Sequence, residues 1–282
     1  MRSVTLFALI ACSLHSLTAA GQTQAGQHRG VVLADLTWVE AESVLKPDTV
    51  VVIPLGAAAK EHGPHLRLDN DWRMAQYLAT RVLVASDVVL APAIPYHYFP
   101  AFLEYPGSTS LSYDTARDVV VEIVRSLAHY GPRRFYVLNT GISTLGPLKA
   151  SASLLAKEGI SLRYTDIEAV SEEAVKRVEK QARGTHADEI ETSMMLYIVP
   201  ERVSMSRAVR DDTPDGPDSR GLTPKPNGRD TYSPSGVWGD PTLATREKGR
   251  IVTEATVAGI LRDIEELRAA APGESLTGER GR

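Results

Sequence analysis

Short apolar runs alternate with amphipathic segments along most of the chain, which is the pattern of an α/β protein. Runs rich in aliphatic and β-branched residues predict buried strands at residues 49–56, 87–94, 133–141 and 160–167. A continuous apolar run is typical of a strand in a parallel sheet that is covered on both faces. The pattern therefore predicts a three-layer α/β/α fold with a central, mostly parallel sheet.

Apolar residues at helical spacing predict the helices that separate and follow these strands. They fall at residues 72–85, 112–131, 145–158, 169–183, 187–199 and 242–270. Residues 203–241 are rich in Pro, Gly, Asp and Ser and have no sustained period, which predicts a long ordered loop.

The two ends of the chain lack this alternation. Residues 1–20 begin with a basic residue, continue through an apolar stretch and end in small residues, as in a secretory signal peptide cleaved after Ala20. A buried N-terminal helix is the alternative, but the polar residues 21–30 are typical of a linker. We expect one domain over residues 31–270 and a disordered tail over residues 271–282.

Composition narrows the classes of function. The net charge is −4 and the charges are dispersed, so the chain has no polybasic face for nucleic acid. Cys12 is the only cysteine, and the "LIAC" around it resembles a lipoprotein box. We expect a secreted or periplasmic protein, attached to a membrane only if Cys12 carries a lipid. Any metal must then be held by nitrogen and oxygen ligands.

Histidines and carboxylates gather directly behind the first predicted strand. The segment "KEHGPHLRLDND" (60–71) contains Glu61, His62, His65 and Asp71. Ligands of parallel α/β folds bind at the carboxyl ends of strands, where this segment lies. Neutral imidazole and carboxylate suit Zn²⁺, Mn²⁺ or Fe²⁺. The segment therefore indicates a metal site, with a plain polar loop as the alternative.

A second polar cluster lies at the start of a predicted helix. In "GTHADEIETS" (184–193), His186 precedes Glu191 by five residues. Asp188 and Glu189 are explained by the helix dipole, which favours acidic residues at a helix start. The dipole does not explain His186, so we predict that His186 and Glu191 face a common centre.

Both clusters carry a resemblance to a known family. "IPLGAAAKEHGPHLRLDND" and "GTHADEIETSMML" resemble the signatures of the creatininase (creatinine amidohydrolase) family. "PGSTSLS" (106–112) and "GDPTLATREKG" (239–249) resemble further family segments, in the same order, over roughly residues 33–265. The resemblance implies a creatininase-like fold, a binuclear metal centre, hydrolysis of amide C–N bonds and assembly into homo-oligomers.

The resemblance also implies roles for individual residues. His62, Asp71 and Glu191 would be metal ligands, with Asp71 bridging two ions. His186 would transfer a proton or orient the substrate, and we assign Glu61 with it as catalytic. The residues that we assign to substrate binding are His65, Lys60, Asn139 and Trp238.

The chain departs from the family pattern at three places. "FLEY" (102–105) stands where the family often has a histidine. Lys60 stands where the family has its first Glu ligand, and Glu61, one position later in a longer loop, is a candidate to substitute for that ligand. The family's N-G-H-G-G-N is "NTGIST" (139–144) here, so its histidine has no counterpart. These departures imply either a mononuclear site or a metal-free descendant, and they leave Lys60 as a stand-in for a missing cation.

The sequence thus predicts a metal-dependent hydrolase with one or two Zn or Mn ions per subunit. Its substrate would be a small amide or lactam, cleaved at a C–N bond. A non-catalytic binding protein with the same fold is the leading alternative. Hydrolysis of an ester or phosphoester is a third interpretation.

Overall fold

The structure is a computed structural model that describes residues 28–212, 221–226, 228, 230–271 and 273. The predicted signal peptide and most of the predicted linker lie outside the described residues. So does the predicted tail apart from residues 271 and 273.

A five-stranded sheet with parallel neighbours forms the centre of the molecule. Its spatial order is β1-β3-β2-β4-β5. The longest pairing joins the central strands, from Val50 opposite Arg134 to Leu55 opposite Asn139. The strands are β1 (Val31–Val32), β2 (Val50–Leu55), β3 (Val89–Leu90), β4 (Arg134–Asn139) and β5 (Ser161–Tyr164).

Helices cover both faces of this sheet, as the fully buried strand β2 requires. Val50 and Val52 pack in one core cluster with α2, α6 and α7, whereas Val51 and Ile53 pack in another with α3 and α4. The three-layer α/β/α prediction is therefore confirmed. The helices are α1 (Trp38–Val44), α2 (Asn70–Ala85), α3 (Tyr113–Ala128), α4 (Leu145–Ala156), α5 (Glu172–Val178), α6 (Glu189–Ile198) and α7 (Arg246–Ala269).

Three predicted elements are much shorter than their apolar patterns. Strand β5 covers only half of the strand predicted over 160–167. The strand predicted over 87–94 keeps only two residues in β3, because Pro92 has no N–H for a neighbouring strand. The helix predicted over 169–183 is only α5, and Glu179 already has an extended backbone. The N–H groups of Lys180 and Gln181 donate to the Glu189 carboxylate instead of continuing the helix.

Two short elements near the start of the described chain were not predicted. Strand β1 has two residues, too few for a readable pattern. Helix α1 has a capping box, in which Thr37 and Glu40 each bond the other's backbone N–H. The spacing of Thr37 and Glu40 is a sequence signal that could have predicted this helix.

The described part of the 203–241 segment is mostly loop, as predicted. Its own strands are β6 (Leu222–Thr223) and β7 (Thr231–Tyr232), a parallel pair outside the main sheet. Among the described residues, no helix combines the length and apolar character needed to cross a membrane.

Candidate metal centre and the cavity beside it

The loop between β2 and α2 brings the first polar cluster to the carboxyl end of β2. Gly63 has a φ of +66°, a left-handed conformation that glycine adopts without a steric penalty. This turn follows His62 directly, and Asp71 lies in the first turn of α2. His62 and Asp71, nine residues apart in sequence, thereby come into contact.

The start of α6 brings the second cluster to the same place. Asp188 caps the helix and its carboxylate accepts from the N–H groups of Ile190 and Glu191. Ala187 has a φ of +49°, uncommon for a residue with a side chain, and its N–H donates to Glu191 Oε2 at 2.8 Å. His186 therefore lies just before the helix and Glu191 in its first turn.

Three side chains converge in a geometry that suits one divalent ion. His62 Nε2 lies 2.8 Å from Asp71 Oδ1 and 3.3 Å from Glu191 Oε1. One potential ligand atom from each residue lies within 4.8 Å of the other two. One imidazole and two carboxylates are a donor set that Zn²⁺ and Mn²⁺ accept. The predicted ligands His62, Asp71 and Glu191 are thus together in the structure.

The hydrogen bonds behind these side chains favour the same interpretation. His62 Nδ1 lies 2.8 Å from the Lys60 carbonyl oxygen, which can only accept, so Nδ1 carries a proton. A backbone carbonyl in this position leaves Nε2 as the ring atom for a metal. Glu191 Oε1 accepts from the Asn70 amide at 2.7 Å, which orients its carboxylate.

Lys60 adds a buried positive charge next to Asp71. Its ammonium lies 2.8 Å from Asp71 Oδ2, on the carboxylate oxygen that His62 does not contact. The Lys60 Nζ atom is also 4.8 Å from the centre of the Phe102 ring. A cation at this distance from an aromatic ring is attracted by the ring electrons.

The pKa values follow from these contacts. Burial alone would raise the pKa of Asp71, but the charges of Lys60 and His62 outweigh it and hold that pKa well below its usual range. Burial lowers the pKa of Lys60, yet Asp71 and Glu191 outweigh it and leave a net rise. Burial and the charge of Lys60 lower the pKa of His62, but Asp71 and Glu191 together outweigh them and leave a net rise. The centre therefore holds charged groups that stabilise one another.

His186 and Glu61 form a second pair beside the centre. His186 Nε2 lies 3.1 Å from Glu61 Oε2, and the rings of His186 and His62 are 5.2 Å apart. The other Glu61 oxygen accepts from the N–H of Gly63. Burial raises the pKa of Glu61, but His186, the N–H of Gly63 and His62 together outweigh it and lower that pKa overall. The two predicted catalytic residues are thus hydrogen-bonded to each other.

A cavity of about 610 Å³ opens beside this arrangement. Lys60, Asp71, His186 and Glu191 line it, so the charged groups are accessible to a small molecule. Trp238 lines it too, held by backbone hydrogen bonds between Trp238 and His186 in both directions. Lys60 and Trp238, predicted to bind substrate, are in a position to do so.

The structure places the other two predicted substrate-binding residues away from the cavity wall. His65 is buried, with Nε2 2.8 Å from Thr192 Oγ1, and burial lowers its pKa to about 4. Asn139 is buried at the end of β4, where its amide bonds Gly141 and Thr165. Neither lines the cavity. Their contacts instead support α6 and the loop after β4.

Sequence reasoning missed residues that complete the site. Phe102 stacks on His186 with ring centres 4.2 Å apart and also lines the cavity. Its only sequence signal is the aromatic-rich stretch 96–105, which packing explains equally well. Asn70 and Thr192 each adjoin a predicted site residue, Asp71 and Glu191 respectively, but ordinary helix residues have the same composition.

Fold and site together define an α/β protein with a candidate metal centre at the carboxyl ends of its strands. The model of the creatinine amidohydrolase family matches residues 34–264. The chain therefore belongs to the creatininase family, as predicted.

Individual relatives agree with this assignment over most of their length. The chain is 28% identical to the creatinine amidohydrolase of Pseudomonas putida, over 84% of this chain and 97% of that protein. It is 29% identical to the mycofactocin precursor peptide peptidase of Mycobacterium tuberculosis, over 84% and 93%. The solved structure named "Creatininase Mn" superimposes with a TM-score of 0.71 at 24% identity, over 86% and 100%. Both sequence relatives carry names of hydrolases.

Proposed function

We propose that the chain is a metal-dependent hydrolase that cleaves the C–N bond of a small amide or lactam. The observation that carries the proposal is the convergence of His62, Asp71 and Glu191 beside a cavity that Asp71 and Glu191 line. Membership of a family whose relatives include an amidohydrolase and a peptidase supports the same reaction class. The ion would be Zn²⁺ or Mn²⁺, according to the ligand chemistry.

Each group has a task in this reaction. A divalent ion held by the three ligands would polarise a substrate carbonyl and lower the pKa of water. The His186 imidazole is exposed to the cavity and can carry a proton to the leaving nitrogen. Glu61 Oε2, 3.1 Å from His186 Nε2, accepts a hydrogen bond from that ring and orients it. Trp238 and Phe102 form an apolar wall that limits access of water.

Metal content per chain tests this proposal directly. Wild-type protein purified without chelators should contain bound Zn or Mn, and Asp71→Asn should lose it, because the substitution removes a charged ligand oxygen. Asp69→Asn is the matched control, since Asp69 bonds Arg73 and Arg202 and lies outside the ligand group. Metal-free wild type, even after incubation with excess Zn²⁺ or Mn²⁺, would exclude the hydrolase mechanism.

One observation favours a second candidate, a non-catalytic binding protein. The Lys60 ammonium already neutralises Asp71 at 2.8 Å, so this carboxylate is paired without any metal. Such a protein would use the cavity to capture a ligand. The same measurement distinguishes the two candidates, because only the hydrolase requires a bound ion.

We also propose that the protein is exported, with residues 1–20 removed as a signal peptide. The basic start, apolar stretch and small residues before Gly21 support this location. Mass spectrometry of the protein from the medium or periplasm should find Gly21 as the first residue. A lipid-modified Cys12 would instead show a membrane-anchored lipoprotein, and an intact Met1 in the cytoplasm would contradict export.

A further inference from the structure

The two oxygens of Asp71 face two different positive partners. Oδ1 lies 2.8 Å from His62 Nε2, on the side of the three metal ligands. Oδ2 lies 2.8 Å from the Lys60 ammonium. A carboxylate that bridges two cations uses its oxygens in this divided way. Here one of the two places is taken by a side chain of the protein itself.

The position of Lys60 is fixed from several directions. Its N–H donates to the Leu68 carbonyl at 3.0 Å, and its own carbonyl accepts from His62 Nδ1 at 2.8 Å. The side chain is only 8% exposed, and the ammonium lies 5.7 Å from the Phe99 ring centre and 4.8 Å from that of Phe102. These contacts hold the Lys60 ammonium beside Asp71. If the ammonium moved away, it would lose its contacts with both aromatic rings and with the carboxylate.

Few donors remain for a second ion on the Lys60 side. In the part of the chain that the structure describes, His62, Asp71 and Glu191 are the one group with metal-ligand geometry. Glu61, the adjacent carboxylate, bonds His186 and the N–H of Gly63. The wall around the ammonium is aromatic, and aromatic rings are not ligands of Zn²⁺ or Mn²⁺.

We infer that the centre takes a single divalent ion per chain, and that the Lys60 ammonium occupies the place on Asp71 that a second cation would need. A dication placed there would meet a fixed positive charge at contact distance, and it would lack ligands. Lys60 is then a positioning residue, since it holds Oδ2 and leaves Oδ1 to the ion. The inference rests on the proposed metal-dependent function and deepens it.

Counting the bound ions tests the inference without an activity assay. The full chain, stripped with a chelator, is dialysed against excess Zn²⁺ or Mn²⁺, desalted, and measured for metal and protein by mass spectrometry. Wild type should hold one ion per chain. Lys60→Glu should hold two, because it removes the repelling charge and adds a carboxylate beside Oδ2.

Lys176→Glu is the matched control for this substitution. Lys176 also lines the cavity but is exposed on α5, where it pairs with Glu172 at 2.8 Å. The substitution Lys176→Glu makes the same charge change at a distance from Asp71, so this variant should still bind one ion per chain. Circular dichroism confirms that each variant is folded before its ions are counted.

The outcomes separate this inference from the function on which it rests. Two ions in wild type would overturn the role of Lys60 and leave a metal hydrolase standing. One ion in folded Lys60→Glu would also overturn it, because the ammonium would not be what limits the count. No ion in any protein would remove the proposed function together with the inference.

If Lys60→Glu does not fold, Lys60→Gln keeps the inference testable by calorimetry. Its side-chain amide can still donate to Asp71, but the positive charge is gone. The single ion should then bind at least about tenfold more tightly than in wild type, since a charge that opposes it has been removed. Binding as tight as in wild type, or weaker, would contradict the inference.

Discussion

Lys60, Glu61 and His62 are consecutive, yet their side chains contact three different atoms on two partner residues. Lys60 contacts one oxygen of Asp71, Glu61 contacts His186, and His62 contacts the other oxygen of Asp71. A strand alternates neighbouring side chains between two faces and a helix turns them at a fixed interval, whereas an irregular loop follows neither pattern. The loop after β2 thereby builds the ion site and the proton-transfer pair from adjacent residues.

Because His186 and Glu61 form a pair outside the proposed metal ligands, we expect that a change at His186 affects catalysis without affecting metal binding. His186→Gln should lower kcat by about 10²–10⁴-fold, the usual range for loss of a general acid or base. The metal content should not change, because His186 lies outside the three-residue ligand group. Steady-state kinetics on an amide that the wild-type protein hydrolyses, together with metal analysis, measures both quantities.

His129→Gln serves as the control for this experiment, since His129 is exposed at the end of α3. It should leave kcat and metal content as in wild type. A His186→Gln enzyme with wild-type kcat would show that another group carries the proton. Loss of metal in this variant would instead make His186 a ligand.

Sequence reasoning reached the three proposed metal ligands but could not assign every neighbour. Residue type and motif position identified His62, Asp71 and Glu191 before their geometry was known. His65 was assigned to substrate binding, but its Nε2 contacts Thr192 and it does not line the cavity. Two histidines three residues apart have no sequence signal for which one contacts Asp71, because that depends on the turn at Gly63.

At the scale of elements, α6 and α7 pack unusually close together. A Cβ atom placed on Gly249 of α7 would lie 1.8 Å from the Ser193 carbonyl oxygen of α6. No side chain fits in that space, so α6 and α7 can lie this close together only where α7 has a glycine. This contact matters for the site because Glu191 lies in the first turn of α6.

Gly249→Ala should therefore lower the free energy of unfolding by about 1–3 kcal/mol, the range for an overpacked core. Urea unfolding followed by circular dichroism measures the change. Gly146→Ala in α4 is the matched control, because its added Cβ would meet only the Tyr113 side chain, at 3.2 Å. That control should change stability by less than about 1 kcal/mol. Equal effects at both positions would contradict the close helix contact.

The helices and strands also show which features the hydrophobic pattern predicts and which it does not. The long strands β2 and β4 were predicted because a buried strand needs an apolar run. Helix α5 was predicted too long, because the Glu189 carboxylate takes the N–H groups of Lys180 and Gln181. Glu189 also binds the Lys248 ammonium, so a contact between distant segments overrides local helix preference.

At the scale of the whole molecule, the ion should stabilise the fold. Its ligands come from the loop after β2, from α2 and from α6, so the bound ion links three parts of the domain. At a free metal concentration of about 100 times Kd, binding contributes about 2.7 kcal/mol. For a domain of this size, that raises Tm by about 5–10 °C.

Differential scanning calorimetry of chelator-treated and reloaded protein measures this shift. Asp71→Asn should show no difference between the two conditions, because it cannot hold the ion. A wild-type Tm that is the same with and without metal would mean that the ion does not bind the folded state more tightly than the unfolded state.

The ligands belong to two distant stretches of chain, one before β3 and one after β5. During synthesis from the N-terminus, His62 and Asp71 therefore emerge long before Glu191. A growing chain presents an incomplete ligand set, which holds an ion only weakly. With the proposed ligand set, metal loading would accordingly be a late step of maturation, in whichever compartment α6 completes its packing. The ion that the protein acquires would then depend on the metals available there.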